Sequence, residues 1–349
     1  MQLRIFNSDM DLLGIIENAY SIQWIRNYTS CGTFEIHMPI DSKALELVKL
    51  DNIVWIQGKK ECGIIECITI EQSASTSNVK IVGRFAESYF ARRLIKNTFN
   101  FNGKVEEAMR QLVTLADIPR VQLGTLNGFN DKIQFQATYK NTLTYIEKLA
   151  QSSNIGFRLV PNFDTKTFTF EIYKGIDRSE NQRDRPRVIF SQYNGDISKA
   201  EYTANNQNYS NVCYVGGQGE GSSRQIVICG DNNLTGLDRR ETFINGSDIE
   251  KDKLTDSQYI ETLKQRGESN LKEKALVQSL EKEDRTSGTY NYPIDYDVGD
   301  IITNKLEYWN ISSNDRVTSV KEVYEHGRMV AVPTLGTPLP STIDWSDNL

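Results

Sequence analysis

The stretch YVGGQGEGSSRQIVI, Tyr214–Ile228, sets four glycines (Gly216, Gly217, Gly219 and Gly221) between two apolar, β-prone runs. A dinucleotide loop needs G-x-G-x-x-G directly after a strand and opening a helix, so that the helix N-terminus faces the phosphates. Here the spacing is G-x-G-x-G across Gly217, Gly219 and Gly221, and the following SSRQIVI reads as a strand. No Walker Lys-Ser or Lys-Thr pair is present in the stretch. The glycines are therefore expected to form a tight or bulged connection between strands, where positive φ is needed. No nucleotide or other cofactor is expected.

Upstream the first ninety residues read as β. In TFEIHMPI, Thr33–Ile40, Phe34, Ile36 and Met38 alternate with Glu35 and His37, and Pro39 ends the run. NIVWI and CGIIECITI flank a turn-like QGKKE, and NVKIVGR is a further strand. From about 95 to 175 the period changes. Val105, Ala108, Met109, Leu112, Val113 and Ala116 fall on one helical face, and NTLTYIEKLAQSS is a second helix capped by Asn141 or Thr142. Strands IGFRLV and TFTFEIY follow, joined by the polar turn PNFDTK, giving an α+β insert with its own core. After a polar, basic connector (GIDRSENQRDRPRV) the chain returns to β from Val188, with one helix near 257–275 and strands near 276–285, 298–304, 314–325 and 329–335. GTPLPSTIDWSDNL reads as a docking tail or short linker.

The 349 residues carry a net charge of −6. That argues against a broad nucleic-acid surface while permitting DNA to pass without sticking. No run approaches the ~20 apolar residues of a membrane helix, so no membrane insertion is expected, and the N-terminus reads as a strand and turn made in a cytoplasm rather than a secretory signal. Cys31, Cys62, Cys67, Cys213 and Cys229 include no C-x-x-C and are odd in number, so buried, reduced thiols are expected.

Catalytic chemistry finds little support. The two histidines, His37 on a strand's polar face and His326 in a turn, lie near no nucleophile elbow, and no H-E-x-x-H or cysteine pair offers a metal site. Glu220 with Asp238 and Glu241 is the one carboxylate constellation that could serve a glycosidase. Each of these acids has an arginine close by (Arg224, Arg239, Arg240), so the rival reading is a salt-bridged network holding two loops together. Arg178, Arg183, Arg185 and Arg187 of the connector are interleaved with Asp177, Glu180 and Asp184, as in a solvated loop or protein interface.

Taken in order, GTFEIHMP, GIIE, VGRFAESYFARR, YKGIDRS, YSNVCYVGGQGEGSSR, GLDRRE and YDVGDIIT resemble the baseplate-hub proteins of tailed phages and phage-tail-like particles. The resemblance implies a mainly β, multidomain chain with an α+β insert and two tube-like β-barrel domains: 1–95 and 188–340, with 96–187 as the insert and 341–349 as a tail. It further implies a homotrimer on the tail axis of a virion or related particle. There it would adapt a sixfold tail tube, or a distal tail protein, to a threefold central spike, with a tape-measure protein as a possible neighbour and DNA only in passage. Gly216, Gly217, Gly219, Glu220, Gly221, Arg224, Asp238, Arg239, Arg240 and Glu241 take structural roles in this reading, none catalytic. The lysin domain that some relatives append has no room before residue 349, so cell-wall hydrolysis is not expected. A peptidoglycan hydrolase using Glu220 with Asp238 or Glu241, and a carbohydrate-binding tail-tip protein, stand as alternatives.

Overall fold

The computed structural model describes residues 2–40, 42–72, 77–194, 197–275, 277–284 and 289–336; the tail expected over 341–349 lies outside them. The first segment contains β1 (Leu3–Phe6), β2 (Leu12–Ile16), β3 (Ser21–Asn27), β4 (Thr33–Pro39), the short α1 (Ser42–Leu47), β5 (Ile53–Ile56), β6 (Gly63–Gln72) and β7 (Ser77–Phe85). In β4 the alternation read from sequence holds: Phe34, Ile36 and Met38 are buried, and Glu35 and His37 face the other way.

The middle segment contains β8 (Phe99–Lys104), α2 (Val105–Ala116), β9 (Val121–Leu123), β10 (Lys132–Ala137), α3 (Thr142–Ser153), β11 (Gly156–Asn162) and β12 (Thr167–Tyr173). α2 buries the expected stripe, and Asn141 caps α3 by accepting from the Thr144 amide at 3.3 Å. The last segment contains β13 (Ile189–Ser191), β14 (Ile197–Asn205), β15 (Val212–Gly216), β16 (Ile226–Gly230), β17 (Glu241–Asn245), α4 (Asp256–Glu273), β18 (Val277–Asp284), β19 (Ile301–Leu306), β20 (Ile311–Glu325) and β21 (Arg328–Gly336).

The fold is mainly β, as expected, but not as two closed barrels. Strands of the first and last segments belong to one thirteen-stranded sheet ordered β14-β18-β21-β20-β3-β4-β7-β6-β5-β1-β2, with β19 on β20 and β13 on β19. The junction is β20. Its fifteen residues are long enough to pair with β19 through Ile311–Arg316 and with β3 through Ser319–Glu325, so the two halves share a ladder. β2 and β14 end the path, each with one strand partner.

The insert shares its core with the first segment rather than forming its own. Trp24, Phe34, Phe85, Phe90, Met109, Ile146 and Phe170 belong to one apolar cluster. Phe163, inside the polar-looking turn PNFDTK, stacks on Phe6 with ring centroids 3.8 Å apart, and Phe90 meets Phe170 edge-on at 5.6 Å. The connector after β12 is fastened to β19: Arg178 pairs with Asp300 at 2.9 Å, and Glu180 with Lys305 at 2.7 Å. Arg183, Arg185 and Arg187 are exposed, as read from sequence.

All five cysteines are free, and Cys31, Cys62, Cys213 and Cys229 are buried. Cys67 departs from expectation by being exposed; it follows a register shift between Ile65 and Cys67, in the part of β6 that projects beyond the core.

Candidate functional site

The glycine stretch joins β15 to β16 in a separate three-stranded sheet, with β15 in the middle, antiparallel to β16 and parallel to β17. α4 covers one face, packing Tyr259 and Leu263 with Cys213, Val215 and Cys229. A capping box starts this helix: the Thr255 side chain accepts from the Gln258 amide, and the Gln258 side chain accepts from the Thr255 amide at 3.0 Å.

The loop is built from two kinds of glycine. Gly219 (φ 102°) and Gly221 (φ 52°) take the conformations that favour glycine. Gly216 and Gly217 are instead places of close approach. A Cβ on Gly217 would fall 2.4 Å from the Tyr259 hydroxyl, which accepts from the Gln218 amide at 2.6 Å. Arg224 closes the loop from the other side: it donates to the Gly217 and Gly216 carbonyls at 3.0 Å each and to Asn245 Oδ1, and its guanidinium lies over the Phe243 ring. Such a charge-assisted clamp on backbone carbonyls holds a turn. It leaves no cradle of amides for a phosphate.

The acids are not brought together. Gly216 pairs with Asn245, and Val212 with Glu241, so Glu220 leaves one end of β15 while Asp238 and Glu241 sit beyond the other. Four strand steps separate those ends by about 13 Å. Glu220 is exposed, its carbonyl accepts from the Ser223 amide and hydroxyl, and among the described residues no ion pair joins it to Arg224. At the far end Arg239 pairs with Glu241 at 2.5 Å and donates to the Tyr214 hydroxyl at 2.8 Å and to the Asn232 and Leu234 carbonyls. Bonds from Arg239 and the Tyr214 hydroxyl hold the Glu241 carboxyl below the usual range, and the bonds Arg239 donates to Glu241 and to the Tyr214 oxygen raise its guanidinium. Asp238 contributes its carbonyl to Asn211, and Arg240 donates to the Asn206 carbonyl and lies over Tyr209. The expected network therefore exists around Arg239 and Glu241, but it does not include Glu220.

Two features escaped the sequence reading. The first is a buried charged junction. Arg26 on β3 meets Glu61 at 2.9 Å, Asp297 at 2.5 Å and the Tyr292 hydroxyl at 2.6 Å. Tyr292 in turn donates to Glu322 of β20 at 2.9 Å, and Lys59 reaches Glu322 at 2.6 Å. No local pattern announces partners more than two hundred residues apart. The second is the edge strand β2, where Leu12 (52%), Leu13 (44%) and Ile15 (42%) are exposed. The first ninety residues read as β, but neither LLGII as a strand of its own nor its place at the end of the sheet was singled out.

Residues 2–337 match the model of the Siphovirus ReqiPepy6 Gp37-like protein family. Among solved structures the chain is similar to the 43 kDa tail protein of prophage MuSo2 from Shewanella oneidensis, with 14% identity over 97% of this chain and 99% of that one and a TM-score of 0.61. A tail protein from Neisseria meningitidis MC58 gives 13% identity, 96% and 95% coverage and a TM-score of 0.60. Prophage tail protein gp18 from Listeria monocytogenes EGD-e gives 12%, 98% and 96%, and 0.56. No curated protein matches the chain. The match over nearly all its length places this chain in the Siphovirus ReqiPepy6 Gp37-like protein family, and its fold is that of phage tail proteins.

Proposed function

We propose that this chain is a structural hub on the axis of a phage tail, a homotrimer that adapts a sixfold tube to a threefold spike without catalysis. The observation that carries this reading is that β2 and β14 stand as free edges at the two ends of the main path of one sheet. Edge strands left to solvent are ordinarily blunted by lysine, proline or short length. β2 carries neither lysine nor proline and, beyond one register shift against β1, presents Leu12, Leu13 and Ile15 to solvent, as an edge meant to be covered does. Two different edges meeting head to tail between copies make a heterologous contact that closes into a ring. Three copies supply six half-sheets, which satisfies both symmetries without requiring closed barrels. The segments 1–95 and 188–340 then form the ring and 96–187 decorates it. The tube or a distal tail protein lies above and the spike below, with tape-measure protein or DNA passing through an acidic channel.

The separation of Glu220 from Asp238 and Glu241 supports a structural rather than hydrolytic role. Analytical ultracentrifugation of the purified chain tests the reading: a trimer is expected for the wild type and a monomer for the Leu13→Lys, Ile15→Lys double variant. A wild type that stays monomeric at tens of micromolar, or a double variant that still trimerises, contradicts it.

A further inference from the structure

The turn that follows β10 carries a feature the hub reading does not use. A cavity of about 210 Å³ opens between this turn and the loop after β17, lined by Gln136, Thr138, Tyr139, Lys140, Asp248 and Glu250. Tyr139 stands in its wall with φ 48°, a left-handed conformation that suits Asn or Gly, and its side chain is 73% exposed. The turn is pinned by backbone bonds to Ile95, from the Tyr139 amide at 2.6 Å and to the Lys140 carbonyl at 3.0 Å. An aromatic ring kept both in strained backbone and in solvent gains nothing for the fold, and strain of that kind gathers at binding sites. Beside it Thr138 also lines the cavity, with its hydroxyl oxygen buried behind the wall and without a hydrogen-bond partner.

The lining selects a ligand class. Lys140 stands 3.8 Å from Asp248, which Arg266 also holds at 3.0 Å, and Glu250 lines the cavity as well, so two cations and two carboxylates balance and no net charge is favoured. Carboxylates and an ammonium side by side suit hydroxyl groups, each of which donates and accepts. The Tyr139 ring offers a flat apolar face for C–H groups. The volume corresponds to about seven waters at ~30 Å³ each and lies below the ~300–1,000 Å³ of drug-sized pockets, so it suits one small ring. We infer that this cavity is a carbohydrate site taking a single neutral sugar unit, with Tyr139 stacking on the ring and Lys140, Asp248 and Glu250 engaging its hydroxyls.

The test uses the full chain and saturation-transfer NMR with N-acetylglucosamine, glucose and galactose at millimolar concentration. At least one of the three is expected to receive saturation and to bind at least tenfold more weakly to Tyr139→Asn and to Lys140→Met. Tyr139→Asn is expected to keep or raise the melting temperature, because Asn suits the backbone there. No transfer to any of the three sugars, unchanged binding in Tyr139→Asn, or a fall in its melting temperature overturns the inference. The outcome is independent of copy number, so failure here and failure of the hub reading are separate results.

Discussion

The guanidinium of Arg224 lies across Gly216: its Nη2 is 3.0 Å from the Gly216 carbonyl, and a Cβ on Gly216 would fall 2.6 Å from its Cζ. Together with the φ of 102° at Gly219, this makes the loop a shaped turn and not a ligand cradle. Gly219→Ala is expected to cost roughly 1–2 kcal/mol in urea denaturation. Gly221→Asn, in open space at φ 52°, is expected to be close to neutral. Neither ATP nor NAD is expected to bind the wild type in calorimetry, and binding of either would contradict the structural assignment.

Glu87 is buried beside Cys31 and Cys62, with Glu61 and Arg158 also facing it, and its Oε1 accepts from the Leu159 amide at 2.9 Å. Burial pushes its carboxyl from 4.5 up to about 7, with Glu61 adding to the rise and the Leu159 amide and Arg158 opposing it. Because the folded state holds the proton more tightly, stability from this group is full below about pH 4.5 and declines as pH rises through about 7. The loss amounts to roughly 3 kcal/mol. Glu87→Gln should flatten the profile in that window and be the more stable form at pH 8. A variant with an unchanged slope would rule Glu87 out as the source.

Tyr292 sits between Arg26 and Glu322, one on each half of the shared ladder. Tyr292→Phe leaves both charges short of a buried partner and is expected to cost about 1–3 kcal/mol. Arg26→Met, which strands Glu61 and Asp297, is expected to cost about 3–5 kcal/mol. Urea unfolding followed by fluorescence and by circular dichroism should still coincide in both variants, since β3 and β20 remain paired. Separated transitions would show that the halves fold independently.

Local order was legible before the structure. α2 announces itself by its apolar period, α3 by its period and the Asn141 cap, and β4 by strict alternation ending at Pro39. What alternation does not encode is which strands pair over long distances. The parallel β15–β17 register, which sends Glu220 and Glu241 to opposite ends, depends on a crossover of about ten residues whose path leaves no periodic trace. Likewise a strand over 314–325 was visible, but not its extension back to Ile311 or the division of β20 between β19 and β3. Phe163 was hidden by its polar neighbours in the turn, and the exposed Cys67 by a bulge that breaks the expected alternation.

With Glu220 held away from Asp238 and Glu241, the purified chain is expected to leave peptidoglycan intact in a zymogram. Clearing that disappears in Glu220→Gln would instead promote a hydrolase.

The central claim, a symmetry-adapting hub, is tested most directly by counting and placing copies in a reconstruction of the assembled tail. Three copies on the axis are expected, with β2 of each beside β14 of the next and the insert outside the ring. Six copies, or a peripheral position, would contradict the account.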